Sequence, residues 1–259
     1  MDELIAVLIL AIVQGVTEWL PVSSQGHLVI AEYLLGYSGG LLLEVTLHFG
    51  TLMAVFVYFG REITEMLEDV LRLKWKTEKA RFFWLVILAT IPGVIFGFLI
   101  RDYFESIFSG FVILALSFAI TGVTLMIASF ELTSRRELNW KIALVVGCAQ
   151  AIAIVPAISR SGATIAAALL LGLREKDALK FSFIMSIPII IGANVLTLGF
   201  GSEPLPQVFL WATLFCFVVA LGAIHVLYKY VLTSRKNLRW FAAYCFALAV
   251  VIMLFFFFG

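Results

Sequence analysis

The chain has 259 residues, 63% of them hydrophobic and 14% charged, with a formal net charge of +1 and a mean hydropathy of +1.07. A soluble domain carries about 25% charged residues, so this chain lacks the polar side chains to cover a water-facing surface. Disordered, collagen-like, disulfide-stapled and cytosolic-enzyme classes are excluded, and near-neutrality gives no footing for a nucleic-acid partner. The composition predicts an all-α polytopic membrane protein.

In chain order, Asp2 and Glu3 precede the first apolar run, where a secretory signal would carry positive charge. The first helix is therefore expected to belong to the mature fold. Residues 4–20 are apolar, Pro21 to His27 form a polar break, and 28–36 are apolar again. Stretches 41–60, 82–100 and 110–130 follow, each long enough to span a bilayer. Residues 142–172 then form two apolar halves around a second polar break, Pro156 to Gly162. Three more spans complete the chain, 181–200, 207–228 and 240–258.

Charge sets the expected orientation. Sixteen of the 18 Lys and Arg fall in four intervals, 61–81, 131–141, 174–180 and 229–240. The positive-inside rule places these intervals in the cytoplasm. The spans alternate consistently only if 142–172 enters and leaves on one face. Both termini and the 101–109 loop then face outward, and the first broken segment dips from the outer face. A proline-bearing break at membrane depth is tolerated only where protein or a water-filled cavity surrounds it.

The two broken segments align at an offset of 136 residues: Gln14 with Gln150, Ser23 with Ser159, Ala31 with Ala167, and Leu34-Leu35-Gly36 with Leu170-Leu171-Gly172. Each is followed by three spans. This predicts a single membrane domain of six transmembrane helices and two re-entrant helix hairpins. They form an inverted-topology repeat, copy 1 about 1–130 and copy 2 about 137–259, with the breaks meeting near the midplane.

Ionisable residues inside spans are costly and mark function by default. The first cluster is Gln14, Glu18, Ser23, Ser24, Gln25 and His27, with Gln14 and Glu18 on one helical face. The second is Ser159, Arg160, Ser161 and Thr164. Arg160 is the one arginine not assigned to a loop at either face, and its planar fork suits a phosphate. An internal Arg160–Glu18 salt bridge is the competing reading and does not exclude a substrate between them. His48 is expected to be a packing histidine, with cavity lining as the alternative; Glu32 and Glu44 are expected to be solvated near the outer face. Cys148, Cys216 and Cys245 read as buried small hydrophobes. Pro92 and Pro188 are expected to kink their helices.

Gln14-Gly15-Val16-Thr17-Glu18, running into Leu20-Pro21-Val22-Ser23-Ser24-Gln25-Gly26-His27, resembles the (E/Q)xxxE and PVSSxGH signature of the undecaprenyl-diphosphatase family of bacitracin-resistance proteins. Pro156 to Thr164 resembles that family's PGxSRSxxT motif. The resemblance covers essentially the whole chain. It implies a plasma-membrane phosphatase that converts a polyprenyl diphosphate to the monophosphate and recycles the lipid carrier of cell-envelope glycan synthesis, with its site opening to the outer face. Carried over by position, it implies Glu18, Ser24, His27 and Arg160 as catalytic residues and Gln14, Ser23, Gln25, Ser159, Ser161 and Thr164 as substrate-binding ones. It also implies a divalent cation, Mg or Ca, on Glu18 and Gln14. Two positions depart from the pattern. Gln14 can be neither a charged ligand nor a base, and Ala157 replaces the usual glycine. A transporter or flippase of an anionic lipid would use the same positive site without a nucleophile. The Ser24–His27 pair favours the enzyme, with Ser24 as nucleophile and His27 as its base or as the acid for the leaving oxygen. Direct attack by water, with His27 or Glu18 as the base, is the alternative mechanism. Whether two copies pair as a homodimer stays open.

Overall fold

The computed structural model describes residues 2–100, 110–131, 134–155, 157–198 and 205–258. The 101–109 loop and Pro156 of the second break lie outside the described residues. Among the described residues the regular elements are all helical. Helix α1 (Glu3–Thr17) begins at Asp2, whose carboxylate accepts from the Leu4 N–H, and α2 (Ser24–Leu35) follows the first break. Then come α3 (Gly40–Tyr58), α4 (Gly60–Leu71), α5 (Glu78–Ile100) and α6 (Phe111–Ala128). Helices α7 (Trp140–Ile152) and α8 (Arg160–Leu170) flank the second break. The chain closes with α9 (Glu175–Leu198), α10 (Gln207–Val226), a π-turn at Leu227–Val231, a 3₁₀ turn at Arg235–Asn237 and α11 (Leu238–Phe258).

Among the described residues six helical segments are long and apolar enough to cross a membrane: Gly40–Tyr58, Glu78–Leu99, Phe111–Ala128, Glu175–Val195, Gln207–Val231 and Arg235–Phe258. They coincide with the six predicted spans, and several start earlier because flanking charged residues continue the helix. The four remaining apolar or break-flanking helices are too short. At a rise of 1.5 Å per residue, α1 and α2, of 15 and 12 residues, and α7 and α8, of 13 and 11, each fall short of a hydrocarbon core of about 30 Å.

Packing crosses between the two halves of the chain. Helix α1 lies against α10, α7 against α5, and the last spans of the halves, α6 and α11, against each other. Both short second helices are followed by a glycine in the left-handed region, Gly36 at φ 60 and Gly172 at φ 98, where no Cβ opposes the reversal. Pro92 and Pro188 sit inside α5 and α9 without ending them.

Two expectations change. The basic 61–81 interval contains α4, an amphipathic helix that buries Ile63 and Met66 while Arg61 stays exposed. On its polar side, hydrogen bonds from Lys79 and Arg61 hold the Glu65 carboxyl below its usual range. Of the three cysteines, Cys216 and Cys245 are buried but Cys148 is exposed on α7.

The charge distribution gives a direct test of orientation. A cysteine replacing Thr77 in a Cys148→Ala background should resist an impermeant thiol reagent added to intact cells and react once the membrane is opened. Full labelling in intact cells would reverse the topology.

Candidate active site

The two sequence clusters meet. In the first break Ser23 adopts φ 72 and caps α2, its Oγ accepting from the Gly26 N–H at 3.2 Å. In the second, Ser159 caps α8 in the same way, accepting from Gly162 N–H at 3.0 Å. The breaks are then stitched to each other and to the bundle. Ser161 Oγ donates to the Leu20 carbonyl at 2.9 Å, Ala157 N–H donates to Gln25 Oε1 at 3.3 Å, and Ser159 N–H donates to Thr121 Oγ1 at 3.2 Å. A Cβ on Gly162 would lie 3.3 Å from the Pro21 carbonyl oxygen and 2.9 Å from Ser159, so this close approach of the two breaks depends on glycine.

The centre of the site is Glu18, whose side chain is 4% exposed. Its Oε2 accepts from Gln14 Nε2 at 3.1 Å and from Ser24 Oγ at 2.6 Å, and its Oε1 accepts from an Arg160 terminal nitrogen. The internal Arg160–Glu18 bridge anticipated from sequence is therefore present. Arg160 also lies over the ring of buried Trp19, 5.8 Å from its centroid. The bridge uses one guanidinium nitrogen, and among the described residues no other hydrogen bond occupies the rest of the fork.

Glu18 and Arg160 line a cavity of about 330 Å³ together with Ser23, Ser24, Gln25, Ser159 and Ser161. Its other walls come from Glu44 and His48 on α3, Gln150 on α7 and Asn194 on α9. His48 donates through Nδ1 to the Glu44 carbonyl at 2.8 Å, which turns Nε2 to within 3.5 Å of Glu18 Oε2. His48 thus lines the cavity, the alternative reading for that residue, and Glu44 is half-buried there rather than solvated. Sequence reasoning missed Gln150 and Asn194 as site residues; the alignment of Gln150 with Gln14 was the available signal.

Three predicted residues do not line the cavity: Gln14 is buried beside Glu18, and Thr164 and His27 lie elsewhere. Thr164 is fully buried, its Oγ1 donating to the Arg160 carbonyl at 2.9 Å and meeting Ser182 Oγ at 2.6 Å; it pins α8 to α9. His27 is not brought into hydrogen-bond contact with Ser24. Its Nδ1–H donates to the Ser23 carbonyl at 2.6 Å, so Nε2 is the acceptor for the Tyr244 hydroxyl at 2.6 Å, and its ring stacks on Tyr244 at 5.6 Å. The carboxylate that Ser24 actually addresses is Glu18.

Gln14 Oε1 is buried with no partner, an uncommitted hard oxygen beside the Glu18 carboxylate. Among the described residues no group of three or more His, Cys, Asp and Glu is arranged to hold a metal ion. One carboxylate and one amide oxygen suit a cation of the Mg²⁺ type, which takes one or two protein oxygens and completes its shell with phosphate and water.

With this geometry in place, the comparisons with known proteins decide the family. The sequence model described as bacitracin resistance protein BacA matches residues 7–251. The chain belongs to the BacA family. It is also 38% identical over 269 aligned residues to an undecaprenyl-diphosphatase of Rubrobacter xylanophilus, covering 97% of this chain and 98% of that relative.

The family's usual glycine is Ala157 here, and the backbone still takes φ 63 at that residue. Left-handed backbone costs a non-glycine residue roughly 1–2 kcal/mol, offset in part by about 0.4–1 kcal/mol for the freer unfolded chain that glycine brings. Ala157→Gly should leave the site intact and raise stability by roughly 0.5–1 kcal/mol, measured by thermal unfolding in detergent. A clear loss of stability would mean that the alanine methyl packs usefully.

Proposed function

We propose that this chain is a plasma-membrane phosphatase that hydrolyses undecaprenyl diphosphate to the monophosphate and inorganic phosphate, recycling the lipid carrier for cell-envelope glycan synthesis. Membership of the BacA family and the diphosphatase relative support this reading. The observation that carries it is the meeting of Arg160 and Glu18, from two separate helix breaks, on one polar cavity inside an apolar bundle.

The cavity is lined by Leu41 and Glu44 in the first turns of α3 and by Asn194 near the end of α9. These ends lie away from the basic 61–81 and 174–180 intervals, which supports a site opening to the outer face. We read α1–α2 and α7–α8 as re-entrant hairpins, one from each copy of an inverted repeat within a single domain. The paired serine caps and paired glycines support that reading. The cavity is lined by residues of one chain.

In the proposed mechanism Arg160 clamps the terminal phosphate through the donors it does not spend on Glu18. The Ser159 hydroxyl and the N-terminal N–H groups of α8 add donors for the same anion, while the Ser161 hydroxyl stays on the Leu20 carbonyl and holds the two breaks together. Ser24 is the nucleophile. Its Oγ bonds to the terminal phosphorus as its proton passes to Glu18 Oε2, the oxygen it already faces at 2.6 Å. The bond from phosphorus to the bridging oxygen breaks, and its electron pair leaves with the carrier monophosphate. Water then hydrolyses the phosphoserine and releases inorganic phosphate. His27 holds the first turn of α2 through the Ser23 carbonyl and so aims Ser24. A divalent cation, Mg²⁺ or Ca²⁺, held by Glu18 and Gln14 Oε1 would supply charge neutralisation for the phosphates.

Phosphate release from farnesyl or longer prenyl diphosphates by the purified protein, with and without a chelator, is the deciding experiment. A transporter releases none. Arg160→Lys keeps the charge but loses the planar fork, so activity should fall about ten-fold to a thousand-fold, or ~1.4–4 kcal/mol. A lysine variant as active as the parent would remove the clamp.

Ser24→Ala should abolish turnover, Glu18→Gln should do the same, and His27→Gln should be milder. Phosphate transfer should proceed with retention at phosphorus. Direct attack by water would instead give inversion and leave Ser24→Ala appreciably active, with only ~1–3 kcal/mol lost.

A further inference from the structure

The cavity has two unlike walls. On one side Glu18, Arg160 and Ser24 are hydrogen-bonded to one another. Beside Glu44 and His48 of α3, two neutral amides come from helices that take no part in that network: Gln150, near the end of α7, and Asn194, in α9.

Gln150 is 1% exposed, yet neither its Nε2 nor its Oε1 has a hydrogen-bond partner. Its side chain runs past Gly93 of α5, where a Cβ would lie 3.7 Å from Nε2; no polar group meets it there. Asn194 is 7% exposed. Its Nδ2 donates to the Ile190 carbonyl at 2.9 Å, which fixes the amide orientation and leaves Oδ1 unpartnered. A buried amide without partners carries its desolvation cost uncompensated, so Gln150 as it stands opposes folding. A ligand that restores those hydrogen bonds removes the cost.

The donor and acceptor inventory says what that ligand is. Gln150 offers two N–H hydrogens and two lone pairs, and Asn194 Oδ1 offers lone pairs only. An apolar ligand satisfies none of them. A phosphoryl oxygen satisfies Gln150 Nε2, while the two amide oxygens need an O–H, which water supplies. Neutral donors also bind phosphate more weakly than cations do. They orient the group without adding to the attraction that would retain a product.

We propose that Gln150 is a substrate-positioning residue, donating through Nε2 to a phosphoryl oxygen of the diphosphate, and that the amide oxygens of Gln150 and Asn194 accept from water carried with it. This rests on the diphosphate-hydrolase reading for the identity of the ligand. The second copy of the repeat keeps the glutamine of the first, Gln150 for Gln14, but has Ile154 where the first has Glu18. Its amide is therefore left with no carboxylate to serve, whereas Gln14 donates to Glu18.

The test separates binding from chemistry. Affinity for farnesyl methylenebisphosphonate, a diphosphate analogue with an uncleavable P–C–P bridge, is measured by calorimetry on the full-length protein with Gln150→Met and Gln150→Glu. Thermal unfolding without ligand is measured on the same samples. Gln150→Met should weaken binding about three- to ten-fold, as expected for one neutral hydrogen bond, with an unfolding midpoint equal to the parent's or higher. Gln150→Glu should weaken it further, because a carboxylate there faces phosphoryl oxygens. A Gln150→Met affinity within two-fold of the parent overturns the proposal. So does a lowered midpoint with unchanged affinity, which would reveal a packing role. A parent protein that binds the analogue in a Gln150-dependent way but releases no phosphate from the cleavable diphosphate supports the subsite and removes the phosphatase reading. A parent that does not bind the analogue removes both.

Discussion

The contact on which the rest depends is the ion pair between Glu18 and Arg160. Each charge sits on a different broken helix, inside a chain with few other polar groups at that depth. An isolated buried charge is costly and a matched pair with further hydrogen bonds is tolerable. Glu18 has those further bonds from Gln14 and Ser24. The breaks carry the same constraint for the backbone, because interrupted helices expose N–H and C=O groups where no water meets them. Ser23, Ser159, Ser161, Gln25 and Thr121 answer it one group at a time. The polar side chains that build the site are therefore largely the ones that make the broken backbone affordable.

The pair also explains how two similar halves yield one site. At the 136-residue offset the serine caps coincide, but Glu18 corresponds to Ile154 and Ser24 to Arg160. One half contributes the carboxylate and the hydroxyl, the other the guanidinium. Opposite charges on equivalent elements attract across the interface, where two identical copies would set like charges against each other.

The spans were legible because hydropathy over about 20 residues and the placement of basic residues are one-dimensional signals. The two breaks were legible for the same reason: proline, serine and charge stand out in apolar sequence. Helix α4 was not, since its apolar residues recur with a helical period inside a run read only for its charge. Within the site, Glu18, Ser24 and Arg160 could be named from the breaks. His48, Gln150 and Asn194 are single polar residues in separate helices, and only folding brings them to one cavity. His27 illustrates the opposite limit. Three residues along a helix from Ser24, it could share its face, but the ring turns to Tyr244 on α11, a partner 217 positions away.

The resting ion pair further constrains how a diphosphate can enter. The cavity already holds Glu18 and Glu44 against one guanidinium, and Coulomb energies at this depth are several times those in water. A multiply charged anion is therefore repelled unless positive charge arrives with it, which is the physical case for the proposed cation. Glu18 has its lone pairs directed to Gln14, Ser24 and Arg160. When a phosphate takes the free part of the Arg160 fork, the guanidinium shares its charge between phosphate and carboxylate, while the oxygen facing Ser24 keeps its donor. The carboxylate is then free to take the serine proton only when a phosphate is present to be attacked. On this argument the salt bridge and the catalytic contact are two uses of the same residues, separated by the arrival of the substrate.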